Sequence, residues 1–160
     1  MSLKLSPQHL GSIRAHAARD YPSECCGILL GKADDSAKQV LEVVPLANLR
    51  HDPKRAQELL PLAEPARESE RNRFLIDPLE QLKVEKHARA RGLDVVGYYH
   101  SHPDHPARPS EYDRVHAWPW YSYVIVSVER GVPKALTSWV LAEDRSRFEE
   151  EEILQLPSSG

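Results

Sequence analysis

Cysteine is scarce in this chain of 160 residues, and its two copies, Cys25 and Cys26, are neighbours. Adjacent cysteines rarely satisfy the geometry of a relaxed disulfide. A disulfide framework is therefore excluded, which fits a reducing cytoplasm. On a strand the two side chains point to opposite faces and do not readily share one metal, so they read as small buried apolar residues. Charge of one sign is not in excess either: 21 basic residues face 24 acidic ones, a net charge of −3. A nucleic-acid surface would show a clustered basic excess. No apolar run approaches the length needed to span a bilayer. The N-terminus lacks the apolar core and small-residue cleavage pattern of a secretory signal. No nucleic-acid or membrane partner is expected, and a cytoplasmic location is. There is no internal repeat and no sign of a second domain, so residues 1–160 read as one domain, large enough to bury a core without staples. Two enzyme signatures are also missing. Without His-Glu-x-x-His the chain is not read as a zincin, and without Pro-Cys-x-x-Cys it is not read as a base deaminase.

What is present centres on Tyr98-Tyr99-His100-Ser101-His102-Pro103 and, after a short loop, Ser110-Glu111-Tyr112-Asp113. The preceding run, Val95-Val96-Gly97, is short and apolar and reads as a buried strand. Side chains two apart on a strand share a face, so His100 and His102 project side by side where the strand ends at Pro103. Ser110 has the character of a helix N-cap, with Asp113 at N3. Alone, Asp113 reads as the capping-box answer to Ser110. Together, two imidazoles and one carboxylate make three candidate ligands, the number that catalytic zinc sites use.

Along the chain, Ser6-Pro7 starts a helix with Leu10, Ile13 and Ala17 on its apolar face. Glu24–Lys32 and Gln39–Pro45 read as a strand pair around a turn at Asp34-Asp35-Ser36. Glu24 stands at the mouth of a buried strand, and from that stretch alone it reads as a solvated strand-end charge. Asn48–Arg73, with three prolines and many charges, reads as a mobile insertion, either a flap over a substrate channel or a solvated loop. Phe74–Ile76 reads as a short strand, Asp77–Arg91 as a second helix stopped at Gly92. The metal strand spans Asp94–Ser101, and a proline-rich loop runs from Pro103 to Pro109. A third helix covers Ser110–Ala117, and strands Tyr121–Val128 and Ala135–Ala142 follow, joined at Arg130-Gly131. Phe148–Leu154 reads as an edge strand despite its four glutamates. Trp118 and Trp120 are expected to pack under the sheet. His105 and His116 are read as uninvolved in the site, with a rim place for His105 and a place beside the site for His116 as the alternatives. The pattern of elements gives a mixed α/β chain.

His-x-His-Pro, six residues, then Ser-x-x-Asp, with Pro22-Ser23-Glu24-Cys25-Cys26-Gly27 upstream, resembles the JAMM (MPN-plus) metalloproteases over roughly Leu5 to Ile153. The resemblance implies an α/β/α fold, a central mixed β-sheet flanked by helices in a cytidine-deaminase-like layout. It implies one Zn2+ per chain bound by His100, His102 and Asp113. Glu24 would be the catalytic base, outside the metal shell, and Ser110 would assist the oxyanion. The core is similar to that of stand-alone bacterial members. This implies a partner that is a ubiquitin-like sulfur-carrier protein with a C-terminal Gly-Gly, and hydrolysis of an amide adduct there, for example one releasing cysteine. A homodimer is among the assemblies it allows. Some members of the superfamily have lost the ligands and serve as scaffolds. All five residues are present here, so the scaffold is the alternative reading.

Overall fold

A computed structural model describes residues 1–48 and 76–157. The expected strand Phe74–Ile76 falls largely outside this range; Ile76 itself is not in a strand. Of the expected insertion Asn48–Arg73, only Asn48 lies within it. The elements are β1 (Ser2–Leu5), α1 (Pro7–Asp20), β2 (Cys26–Ala33), β3 (Ala37–Leu46), α2 (Pro78–Ala90), β4 (Asp94–Pro103), α3 (Glu111–His116), β5 (Ser122–Glu129), β6 (Val132–Leu141) and β7 (Phe148–Gln155). Among the described residues no helix is long and apolar enough to cross a membrane.

The helix starts follow the local chemistry. Ser6 caps α1 by accepting from the His9 N–H, with Pro7 in the first turn. Asp77 caps α2 the same way toward Leu79, again ahead of a proline. Gly92 ends α2 with φ +69°, a backbone that glycine adopts without a Cβ penalty.

The sheet is mixed. β2 pairs antiparallel with β3 and β4, β4 runs parallel to β5, and β5, β6 and β7 form an antiparallel meander. Each face carries a helical layer. On one, Leu10, Ile13 and Ala17 of α1 pack on Leu3, Leu5, Leu29, Val40, Tyr99 and Val124. On the other, Val84 and Ala88 of α2 pack on Cys26, Ile28 and Leu30. The expected α/β/α arrangement is present, with one addition. The four-residue β1 bridges β3 and β7, so the sheet order β1-β3-β2-β4-β5-β6-β7 closes into a barrel. That strand was too short to stand out by periodicity.

Cys25 and Cys26 are free thiols, both fully buried, and belong to the two opposite core clusters, as strand alternation requires. Burial pushes the Cys25 thiol up to about 12, the least reactive condition for a cysteine. The tryptophans depart from expectation. Trp118 is 65% exposed and Trp120 41%, so neither packs beneath the sheet. Each instead faces a cation: Arg145 stands 5.0 Å from the Trp118 ring and Lys38 Nζ 4.9 Å from that of Trp120.

Candidate metal centre

β4 delivers two of the site's groups by simple alternation. His100 and His102 share the face turned away from α1, while Ser101 between them turns into the core and is fully buried. The Nε2 atoms of His100 and His102 lie 3.1 Å apart. α3 supplies the third group. Asp113 Oδ2 lies 3.3 Å from Nε2 of His100 and 3.3 Å from that of His102.

The capping box explains how α3 aims that carboxylate. Ser110 Oγ accepts from the Asp113 N–H at 3.1 Å, and Asp113 Oδ2 accepts from the Ser110 N–H at 2.8 Å. The two readings of Asp113 therefore coexist: the oxygen that caps the helix is also the one facing both imidazoles. Burial works against the charge of Asp113. When the adjacent His100 and His102 are protonated, their charge and hydrogen bonds outweigh it and hold the carboxyl well below the usual range.

The tautomer of His102 follows from its other nitrogen. Nδ1 lies 2.9 Å from the Pro106 carbonyl oxygen, which can only accept. Nδ1 must carry the proton, which leaves a lone pair on Nε2, the form that binds metal. With neutral rings, three acceptor-bearing atoms then converge with at most one proton among them. A cation resolves that arrangement. The spacing suits one: tetrahedral zinc with bonds of ~2.0–2.1 Å sets its ligands about 3.3 Å apart. The residues fit the metal expected from the sequence, in donor chemistry and in spacing.

Glu24 lies just before β2 and is only 2% exposed, not the solvated charge that its local sequence allows. One of its carboxylate oxygens and a ring nitrogen of each of His100 and His102 all lie within 4.8 Å of one another. That is looser than the triangle with Asp113. The segment carrying Glu24 is tied to the end of β4. Cys25 exchanges two bonds with Ser101, and the Tyr21 hydroxyl donates to Asp104 at 2.7 Å. Sequence reasoning missed Ser101, Asp104 and Asn48, whose side-chain amide donates to the Glu24 carbonyl, because their contacts reach 76, 83 and 24 residues along the chain. The unremarked Ser in His-Ser-His, buried by alternation, was the available signal.

His116 and His105 lie outside the triangle. His116 is exposed and engages the Tyr112 carbonyl one turn back through Nδ1. His105 lines a cleft of about 610 Å3 beside the metal loop, with Arg108, Lys134 and Trp139.

A fold with two helical layers on a mixed sheet, and a His-x-His/Asp triangle at a strand end, is what the sequence motif implied. In keeping with it, the profile of prokaryotic homologs of the JAB domain matches residues 6–142. The chain belongs to this family. It is 36% identical over 119 residues to the desampylase of Haloferax volcanii, covering 74% of this chain and 72% of that one. It is 32% identical over 120 residues to a probable TtuB-protein conjugate cleaving protease of Thermus thermophilus, covering 75% of this chain and 66% of the relative. Among solved structures, a protein from Desulfitobacterium hafniense superposes with a TM-score of 0.75 at 32% identity, over 98% of this chain and 94% of that chain.

Proposed function

We propose that the chain is a zinc-dependent isopeptidase that hydrolyses amide adducts at the C-terminal Gly-Gly of a ubiquitin-like carrier protein. The observation that carries this is the triangle of His100, His102 and Asp113 with the buried carboxylate of Glu24 beside it. The relatives support the substrate class: one is a desampylase, and another is named for cleaving protein conjugates.

His100 Nε2, His102 Nε2 and Asp113 Oδ2 would hold the ion. Bound there, zinc supplies Lewis acidity, which lowers the pKa of a water from ~15.7 to about 7 and polarises a carbonyl. The chain's own groups do the rest. Glu24 takes the proton of the attacking water and later returns it to the leaving amine, work worth ~10²–10⁴-fold. Ser110 Oγ accepts from the Asp113 N–H, so its own proton points elsewhere and can be donated to the developing oxyanion. The Pro106 carbonyl keeps His102 in the metal-binding tautomer. A Gly-Gly tail suits a recessed centre, since a Cβ near the scissile bond would obstruct approach.

The test uses purified, zinc-loaded protein and two carrier proteins that differ only in ending Gly-Gly or Ala-Ala. Each is joined through its C-terminus to a lysine ε-amine or, in a parallel arm, to free cysteine. Cleavage of the Gly-Gly adducts, lost in Glu24→Gln with zinc retained, is the expected result. Equal cleavage of both tails would remove the specificity claim. Zinc binding without cleavage of any adduct would favour the non-catalytic scaffold.

A further inference from the structure

The peptide that joins Glu24 to Cys25 is held at both of its polar ends by side chains. Its carbonyl, the Glu24 oxygen, accepts from Asn48 Nδ2 at 2.9 Å. Its N–H, on Cys25, donates to Ser101 Oγ at 2.8 Å. Ser101 adds a backbone bond, donating its own N–H to the Cys25 carbonyl at 3.2 Å. These contacts begin where the regular ladder stops: the last registered β2–β4 pair at this end is Cys26 with His100. Neither clamp side chain belongs to the metal triangle. Ser101 faces the core, on the side of β4 opposite the two imidazoles, and Asn48 bonds the backbone of Glu24.

We propose that Ser101 and Asn48 are positioning residues for Glu24, fixing the peptide plane from which its carboxylate reaches toward the His100 and His102 nitrogens. This rests on the reading of Glu24 as the base. The physical reason is that the peptide N–H is buried and must be bonded. Cys25 is fully buried, so its N–H has no recourse to water once the Ser101 hydroxyl is gone. The segment must then shift to find another acceptor. A displacement of about 1 Å at a reacting group costs on the order of 10²-fold in rate. The imidazoles are carried by β4 itself, so metal binding does not depend on this clamp. One serine thereby couples the strand that holds the ligands to the turn that holds the base.

The experiment is a cycle of Ser101→Ala and Glu24→Gln, with Ser101→Thr and Asn48→Ala as companions, on the Gly-Gly–lysine conjugate. Zinc content, kcat and KM are measured for each. We expect Ser101→Ala to retain one zinc per chain and to lose about 10–100-fold in kcat with KM changed less than about twofold. Ser101→Thr, which keeps the oxygen, should recover most of the rate, and Asn48→Ala should fall in the same direction as Ser101→Ala. In the Glu24→Gln background, Ser101→Ala should cost less than about twofold more, because the group it positions is already disabled. A near-native kcat in Ser101→Ala would overturn the proposal. So would an equal loss in both backgrounds, or loss of zinc with no rescue by threonine. These outcomes leave the base assignment standing. Native turnover by Glu24→Gln would instead overturn that assignment and this proposal with it.

Discussion

Lys38 Nζ and Glu151 Oε2 face each other at 3.7 Å inside the closed sheet, their side chains 1% and 3% exposed. Ser122 and Ser138 hydroxyls donate to the other carboxylate oxygen at 2.6 and 2.8 Å, and Lys38 also donates to Ser122 Oγ. Removing one member of a buried pair strands the other. Lys38→Met should therefore cost about 3–5 kcal/mol in urea unfolding. The double replacement Lys38→Met/Glu151→Leu should recover most of that loss. A single variant as stable as the parent would show that the charges contribute nothing.

Metal binding should be lost in His100→Ala/His102→Ala, read as zinc per chain by elemental analysis. A ligand that binds only the folded state raises apparent stability. A chelator should therefore lower Tm in the parent and leave the double variant unmoved. Stoichiometric zinc in that variant would dismiss the triangle as the site.

Ser110 combines a helix cap with a proposed oxyanion donor, and the two can be separated. Glycine retains most of the stability of an N-cap serine, whereas alanine costs roughly 1 kcal/mol. Ser110→Gly and Ser110→Ala should thus differ in Tm. They should lose a similar ~10²–10³-fold in kcat. If kcat follows Tm instead, the serine acts only as a cap.

Alkaline pH should weaken the fold. Burial pushes Cys25 from 9.0 to about 12, and burial likewise raises Cys26 and Tyr99. The folded chain then keeps these protons after the unfolded chain has released them. Stability is complete below the unfolded thiol's pKa and falls as pH rises from about 9 toward 12. Cys25→Ala should flatten the slope of unfolding free energy against pH over that range, whatever it does to the absolute stability. An unchanged slope would mean that the thiol is not protected from ionisation.

Two glycines should respond oppositely to alanine. A Cβ at Gly97 would come within 2.2 Å of the Ser122 carbonyl oxygen, a backbone atom with nowhere to go. Gly97→Ala should destabilise by about 1–3 kcal/mol or more. A Cβ at Gly11, in α1, meets nothing within 4 Å. Gly11→Ala should stabilise by ~0.4–1 kcal/mol, because alanine loses less backbone freedom on folding. Thermal or urea unfolding of both variants decides the matter.

What was legible in the sequence was local. His100 and His102 are two apart on one strand, and Asp113 lies one loop away at a fixed place in a helical turn, so period and capping rules bring them close. Glu24 came from resemblance; its own surroundings allowed an exposed charge, and the structure buries it. The inward turn of Glu151 was hidden in a run of four glutamates because its partner, Lys38, lies more than a hundred residues earlier. The Ser101–Cys25 clamp was equally silent, since nothing at either position announces the other. Trp118 and Trp120 misled by type: large aromatics usually bury, yet here one partly covers a buried lysine and the other stacks on Arg145 in the open.

The seam formed by β1 has a kinetic meaning. Ser2 lies in register with Glu152 and Leu5 with Gln155, so the contact that closes the sheet joins segments about 150 residues apart. Such closure must overcome the entropy of a very long loop before it yields any stabilisation. On a ribosome it cannot occur until β7 has emerged. The β2–β4 sheet that carries His100 and His102 can assemble well before that. During this interval the edge of β1 that β7 will cover stays unpaired, the state in which such a chain is most open to strand addition by another copy of itself.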